Sequence, residues 1–518
     1  MNKLYLFVFS IILCTAIAQG APCQVYVDPK SIITQKCGAT SNMGCSSIKY
    51  AIETCTDQSN VVLMLLDGEH VAKDNFNMNY LNQTIVYQAV NPGKAIFNLR
   101  GITTPLVTIT DTTAVNNGYN YITNFNMTGV QVMNANYQDG VTNIIQSNVN
   151  RTAITMYIDN CVFTANNATN GGVFLFNSSH TYGLSNIFIT NSQFTYNTAY
   201  KGAVLYSEAY HNFYMRANTF TNNNGTYNAL LYMMSPNQVM LQTSTFSKNY
   251  INRGGMVQIG ISTEMPTIQS CTFDQNTGGG TKAAAVAYLM MNNAAVNLCN
   301  FTNNAGMGGI LIVQVQYAQI LNSYFYKNSY PSYGAGVYFE KSYVRIASSE
   351  FESNTASYGG AIAGYQDGTF TSTSSFTDLN ITANVATVLG GGLYLNSNSV
   401  NMKNVDLQNN NGPNGTNLYC ASSYLYPNLT TFGDPPSHVE SDNAFGISCS
   451  PTSTCYITDA QDESVICGTY VPNKNKGLTG GQKAGIAIGV IGGVIIIIIV
   501  VVVVLRRIKR HQYDHIKY

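Results

Sequence analysis

A four-residue unit, Phe-x-x-Asn, returns along the middle of the chain too regularly for chance. It stands at Phe163/Asn166, Phe194/Asn197, Phe220/Asn223, Phe246/Asn249, Phe273/Asn276, Phe301/Asn304, Phe325/Asn328 and Phe351/Asn354. Phe376 opens a ninth copy with its Asn one place late at Asn380, and Leu407/Asn410 reads as a tenth. Most copies are followed by a small-residue pair and an alternating apolar strand, as in Gly171-Gly172, Gly254-Gly255, Gly308-Gly309 and Gly359-Gly360. Each period therefore holds two or three short strands parted by Asn, Gly and Ser turns, with no helical pattern inside it. Strands alone, at a period of about 26 residues, make one coil of a right-handed parallel β-helix. The expected fold class is all-β: a right-handed parallel β-helix solenoid with a short N-terminal capping helix, plus one C-terminal transmembrane α-helix.

Stacked coils lie about 4.8 Å apart, so equivalent residues pile into columns. The Phe column is expected to form an internal aromatic spine. The Asn column is expected at a turn, in left-handed geometry, as an amide ladder. Two residues before each Phe runs a small-residue column in which Cys161, Cys271 and Cys299 replace Ser.

Phe-x-x-Asn together with Gly-Gly-Ala/Ile/Leu/Val resembles the repeat of the polymorphic outer membrane protein family, within the pectin-lyase-like superfamily. The resemblance covers roughly residues 155–415 and is tightest over Phe351–Ile362. That family ends in a β-barrel translocator, whereas this chain ends in an apolar run. The resemblance therefore implies the fold and suggests adhesion, without the bacterial secretion route. Before the repeat, Val25–Val27, the helical spacing of Ile48, Ala51, Ile52 and Cys55, and Val61–Leu66 form a strand, helix, strand order. That order resembles the entry segment of secreted β-helix proteins, and residues 19–110 are assigned to an N-terminal cap and first coils. The repeats proper span 111–419, a Cys-containing C-terminal cap 420–472, and a stalk 473–483.

The two ends predict a compartment. Lys3, the apolar run Leu4–Leu13 and Ala16-Ile17-Ala18 read as a signal peptide, residues 1–18. Ala484–Leu505 is uncharged and, as a helix, about 33 Å long, enough for a bilayer core. Arg506, Arg507, Lys509 and Arg510 follow it, on the side expected to be cytoplasmic. The expected topology is single-pass type I, in the plasma membrane or an endosomal membrane, with residues 506–518 as cytoplasmic tail. Gly485, Gly489 and Gly493 repeat at the spacing of a homodimer face, though Gly is common in membrane spans. Tyr513 and Ile516 have the spacing of a tyrosine-based sorting motif read by a clathrin adaptor; the alternative is a plain basic stop-transfer stub.

Charged residues are only 10% of the chain, with 25 basic and 25 acidic side chains, 36 Tyr and no Trp. No basic stripe precedes the tail, so a nucleic-acid partner is excluded. Ten sequons are candidate glycan acceptors: Asn82, Asn126, Asn150, Asn167, Asn177, Asn224, Asn300, Asn380, Asn414 and Asn428. Disulfides are expected within a front cluster (Cys23, Cys37, Cys45, Cys55) and a back cluster (Cys420, Cys449, Cys455, Cys467), with the pairing inside each left open. Cys271 and Cys299 share a column in adjacent coils and either bridge or stay reduced, while Cys161 is the buried leftover.

Catalysis needs carboxylate pairs or a carboxylate cluster with a base. Glu350 and Glu352 form the only close acidic pair in the repeat; a solvated strand face accounts for them, and the arginines are scattered. His180 and His211 lack partners at motif spacing. No catalytic residue, cofactor or metal site is assigned. Tyr324, Tyr326, Tyr330, Tyr333, Tyr338 and Tyr343 crowd two coils, either as a sugar- or protein-binding face or as good strand formers on an outer surface. The expected role is a non-catalytic cell-surface glycoprotein whose rod serves adhesion or recognition of an extracellular protein or glycan. The alternatives are a membrane-tethered polysaccharide-binding or -cleaving protein and an endosomal sorting receptor.

Overall fold

The computed structural model describes residues 21–110, 122–136, 144–148, 153–177, 185–280, 283–367, 372–432, 446–450 and 455–457. The signal segment, the stalk, Ala484–Leu505 with its glycines, the tail with Tyr513 and Ile516, and the acceptor Asn150 lie outside the described residues.

The chain is a parallel β-solenoid. Each typical coil runs through four short segments, illustrated by Phe220's coil. His211–Arg216 lies on a first face, Thr219–Thr221 on a second, Asn224–Asn228 on a short outer ribbon, and Leu231–Met233 on a third face. Each pairs in parallel with its counterpart one coil on, such as Phe220 with Phe246 and Leu231 with Val257. Inner positions alternate with outer ones, so the apolar residues of all three faces meet in one axial core.

The Phe spine is present from Phe163 to Phe351. Neighbouring rings lie 4.4–5.2 Å apart with planes within 1–9° of parallel. In-register pairing gives each ring the same backbone and rotamer as the ring below, which makes stacking the geometry available. Burying each ring stabilises the coil by about 2–3 kcal/mol.

The ninth copy is corrected by register. Phe351 pairs with Ile381, and Ile381 with Leu407, so Ile381/Asn384 is the ninth unit. Phe376 belongs to the preceding face, between Ile346 and Met402. Asn384 continues the amide ladder: Asn354 donates to Asn384 and Asn384 to Asn410, both at 3.0 Å. The aromatic signal misled because an inward Phe is equally at home on either face of the coil.

The Asn column is also placed differently. The left-handed residue is the one before each Asn, such as Tyr196 (φ 56°), Lys248 (φ 55°) and Ser353 (φ 57°). The Asn itself is buried. Its Nδ2 donates to the next Asn and to the carbonyl of the preceding coil's Phe, as Asn223 does to Asn249 (3.0 Å) and Phe194 (2.8 Å). Its Oδ1 accepts the backbone N–H of the Asn below, at 2.9 Å from Asn197. Left-handed geometry costs a non-Gly residue about 1–2 kcal/mol; the fully bonded ladder offsets it. Where the chain turns onto the third face, Gly171 has φ +62°, and a Cβ on Gly172 would lie 2.1 Å from Ala203 O.

The front end is built differently. Cys23–Val27, a helix at Ile48–Thr54 and Asn60–Leu65 follow the expected order. Ser47 caps the helix, accepting from Tyr50 N at 3.4 Å. The first strand's free edge is covered by its own loop: Tyr26 N donates to Gly38 O and Cys45 N to Tyr26 O. Disulfides Cys23–Cys55 and Cys37–Cys45 resolve the front cluster. At the back, Cys420 pairs with Cys455, while Cys467 lies outside the described residues. Leu418–Ala421 and Ile447–Cys449 extend the third-face ladder, setting Cys449 beside Cys420 in register.

Of the two options for Cys271 and Cys299 the structure takes the reduced one: both are buried thiols, as is Cys161. Each sulfur points along its column as a Ser hydroxyl does, toward the carbonyl two residues earlier, Gln269 at 3.3 Å and Asn297 at 3.4 Å. Cys299 Sγ also accepts from Cys271 N at 3.4 Å, the place Ser323 Oγ takes for Cys299 N. The column is thus an acceptor ladder as much as a small-residue one. Burial raises the Cys161 thiol to about 12, keeping it protonated.

Candidate functional site

Two outer surfaces gather polar or aromatic side chains. The first is an open groove of about 600 Å³ on the second face, lined by Asn300, Asn322, Ser323, Tyr324, Ser348, Ser349, Glu350, Asp378 and Asn380. Asn300, Tyr324, Glu350 and Asn380 occupy one outer column on consecutive coils. Asn322, Ser348 and Asp378 form the left-handed corner beside it (φ 49–53°).

The carboxylates of this strip are engaged by neighbours. Asn380 Nδ2 donates to Glu350 at 3.1 Å, Asn404 Nδ2 to Asp378 at 2.8 Å, and the Tyr324 hydroxyl to Glu352 at 2.9 Å. Asp274 receives Thr302 (2.6 Å) and Asn303 (3.0 Å), and Asp159 receives Thr190 (2.6 Å) and Asn191 (2.8 Å) in the same pattern. The Tyr324 phenol is held up by burial, with the Glu352 bond adding to it. Glu350 and Glu352 share an outer face as expected; Asp378 beside Glu350 was missed, because its placement depends on the register of Ile381. Among the described residues no group of three or more His, Cys, Asp or Glu is arranged to hold a metal ion.

The second surface is aromatic and runs along the outer ribbon and third face. Tyr333 packs on Tyr338 (5.4 Å), Tyr358 (4.6 Å) and Tyr394 (5.7 Å), and Tyr394 on Tyr358 (5.4 Å) and Tyr419 (5.6 Å). Further along the ribbon, Tyr200 stacks on Tyr227 at 4.6 Å, and the Arg253 guanidinium lies 5.8 Å from the Tyr227 centroid. Between the two aromatic groups is a recess of about 350 Å³ lined by Asn252, Arg253, Gly278, Gly279, Gly280, Gly306 and Pro331.

The six expected tyrosines are therefore divided. Tyr333 and Tyr338 join this surface, Tyr324 lines the groove with Tyr326 5.7 Å from it, Tyr343 packs on Tyr317, and Tyr330 is buried. Tyr358, Tyr394 and Tyr419 were missed because they lie one, two and three coils on. A sequence window sees them 25 or more residues apart.

Of the sequons, Asn82, Asn177, Asn300, Asn414 and Asn428 are exposed, and Asn126, Asn167, Asn224 and Asn380 are half-buried. His211 is buried between Phe176 and Phe213, and burial lowers it to about 4.

No family model and no curated protein matches the chain. The A-module of the mannuronan C-5 epimerase AlgE6 of Azotobacter vinelandii is similar in structure, at 12% identity and a TM-score of 0.41, with 73% of this chain and 94% of that chain covered. The A-module of AlgE4 from the same organism is similar at 12% identity and a TM-score of 0.32, over 74% and 94%. Neither likeness bears on activity.

Proposed function

We propose that the chain is a non-catalytic cell-surface glycoprotein, anchored by Ala484–Leu505, whose solenoid serves adhesion or recognition through its tyrosine side. The observation that carries this reading is the convergence from two sheets of the half-buried Tyr333, Tyr338, Tyr358 and Tyr419 around the buried Tyr394 on one side of the solenoid. Rigid aromatic side chains give large contact area at low entropic cost, the composition of a protein-recognition surface. The engaged outer carboxylates support the non-catalytic part, since each is bonded to an amide or hydroxyl of a neighbouring coil. The tail motif Tyr513/Ile516 would add adaptor-driven cycling through endosomes, and Gly485, Gly489 and Gly493 a dimer.

The test uses beads coated with the soluble ectodomain, residues 19–482, applied to cells and to a glycan array. The double variant Tyr333→Ser/Tyr358→Ser is expected to weaken binding by about 2 kcal/mol or more, as loss of an interface hot spot does. Unchanged binding by that variant would remove the tyrosine side from the reading. Release of soluble saccharide from a polysaccharide substrate would instead favour the cleaving alternative.

A further inference from the structure

We propose that the groove of the second face is filled by the protein's own glycan, carried on Asn300. The inference rests on the reading that the chain enters the secretory pathway.

Asn300 is exposed, heads the complete sequon Asn300-Phe301-Thr302, and is itself a wall of the groove. From its coil the groove runs past Tyr324 and Glu350 to Asn380, three coil steps or about 14 Å. Its lining carries chemistry that holds a neutral sugar: amides at Asn322 and Asn380, a hydroxyl at Ser348, carboxylates at Glu350 and Asp378, and one aromatic ring, above the buried Ser323 and Ser349 of the acceptor ladder. That ring is positioned in advance, because the Tyr324 hydroxyl is tied to Glu352. The first two N-acetylglucosamine units of an Asn-linked glycan would lie along it, with Tyr324 beneath a pyranose face.

The modification itself is ordinary transfer from a polyprenyl-pyrophosphate-linked oligosaccharide. A bond forms from the sugar C1 to Asn300 Nδ2, the C1–O bond to phosphate breaks, the lipid pyrophosphate leaves, and one amide proton is lost to solvent. Tethering then decides occupancy. A short flexible link holds the glycan at millimolar effective concentration, so a groove with a Kd of about 0.1 mM is about nine-tenths filled. A free saccharide would need a comparable concentration in solution to compete.

Asn380, at the groove's far end, is the contrast. Its Nδ2 donates to Glu350 at 3.1 Å, so one of its two N–H groups is already engaged inside the groove.

The test is site-resolved release of glycans by an endoglycosidase from the native secreted ectodomain. The Asn300 glycan is expected to be released about tenfold more slowly than those on the exposed Asn82 and Asn414, in line with nine-tenths occupancy. The rates should become equal after denaturation. Tyr324→Ala and Glu350→Ala, each secreted with an unchanged far-UV spectrum, should bring the native Asn300 rate to that of the other sites. Equal native rates at Asn300 and the controls would overturn the proposal, as would resistance that persists in both variants. Absence of glycan from every sequon would overturn the secretory reading beneath it, a distinct result.

Discussion

The middle coils and the front coils solve the same problem in different ways. From Phe163 to Phe351 the core is one residue repeated, with rings stacked within 9° of parallel and a bonded amide column beside them. From residue 76 to 125 the aromatic core is particular. Tyr87 meets Phe125 edge-on at 72°, Phe76 meets Phe97 at 77°, and the Tyr80 and Tyr87 hydroxyls bond to each other at 2.6 Å. The front adds a helix and two disulfides. A middle coil finds its complement in the next copy of itself, whereas a terminal coil must cover an unpaired edge with unlike material.

The difference also accounts for the low charge of the chain. In-register stacking sets like residues about 4.8 Å apart, where like charges repel by about 1 kcal/mol per pair even in water. Asn, Thr and Ser stack without that cost and donate to one another. Lys341–Asp367 (2.9 Å) is the one ion pair among the described residues.

The largest expected effect attacks the spine. Phe301→Ala should destabilise the middle coils by about 3–5 kcal/mol, read from the shift of a denaturant midpoint. Tyr326→Ala, one coil on and half-buried, should cost under about 1 kcal/mol. Equal costs would mean that the stack is not what holds these coils.

Acid should separate the two regions next. His211, near the start of the middle coils, stays neutral when folded down to about pH 4, whereas the unfolded chain protonates it near pH 6.5. The unfolded state then binds the extra proton, so stability is unaffected above about 6.5 and falls by up to about 3 kcal/mol on acidification to pH 4. His70, at the front, is also lowered by burial, but its Nε2 bonds Leu66 O at 2.9 Å. Denaturation curves at pH 7 and pH 4.5 should show His211→Phe removing more of the acid sensitivity than His70→Phe. The reverse order would contradict the assignment.

The front depends on its staples. Cys23→Ser/Cys55→Ser opens a link across 32 residues and is expected to cost about 2–4 kcal/mol. The loss should be confined to the first coils, as increased amide exchange at residues 23–65 with exchange at 240–350 unchanged. Exchange that rises throughout would show the cap to be a condition for the whole stack.

Asn276→Ala should have a smaller effect than the spine. It leaves the Asn249 N–H and Nδ2 without the shared Oδ1 acceptor, at about 1–3 kcal/mol. An effect no larger than that of Tyr326→Ala would reduce the ladder to a consequence of stacking.

The sequence alone determined what repetition can encode. A period with strands only dictates stacked coils, and a Phe at a constant place in each coil dictates a spine, because parallel in-register pairing brings like to like. The same logic made the small-residue column legible, while the helical spacing of Ile48, Ala51, Ile52 and Cys55 placed the strand, helix, strand order at the front. Register was decided by the tertiary structure wherever a coil departed from the pattern. Phe376 resembles the motif, yet Ile381 takes the spine position, because pairing of all three faces outweighs one aromatic ring. The left-handed residue was not legible in most coils, since Ala165, Tyr196 and Lys248 carry no turn signature. The same holds for the two outer surfaces. Glu350 with Asp378, and Tyr333 with Tyr358 and Tyr394, are 25 or more residues apart along the chain and meet only when successive coils are laid about 4.8 Å apart.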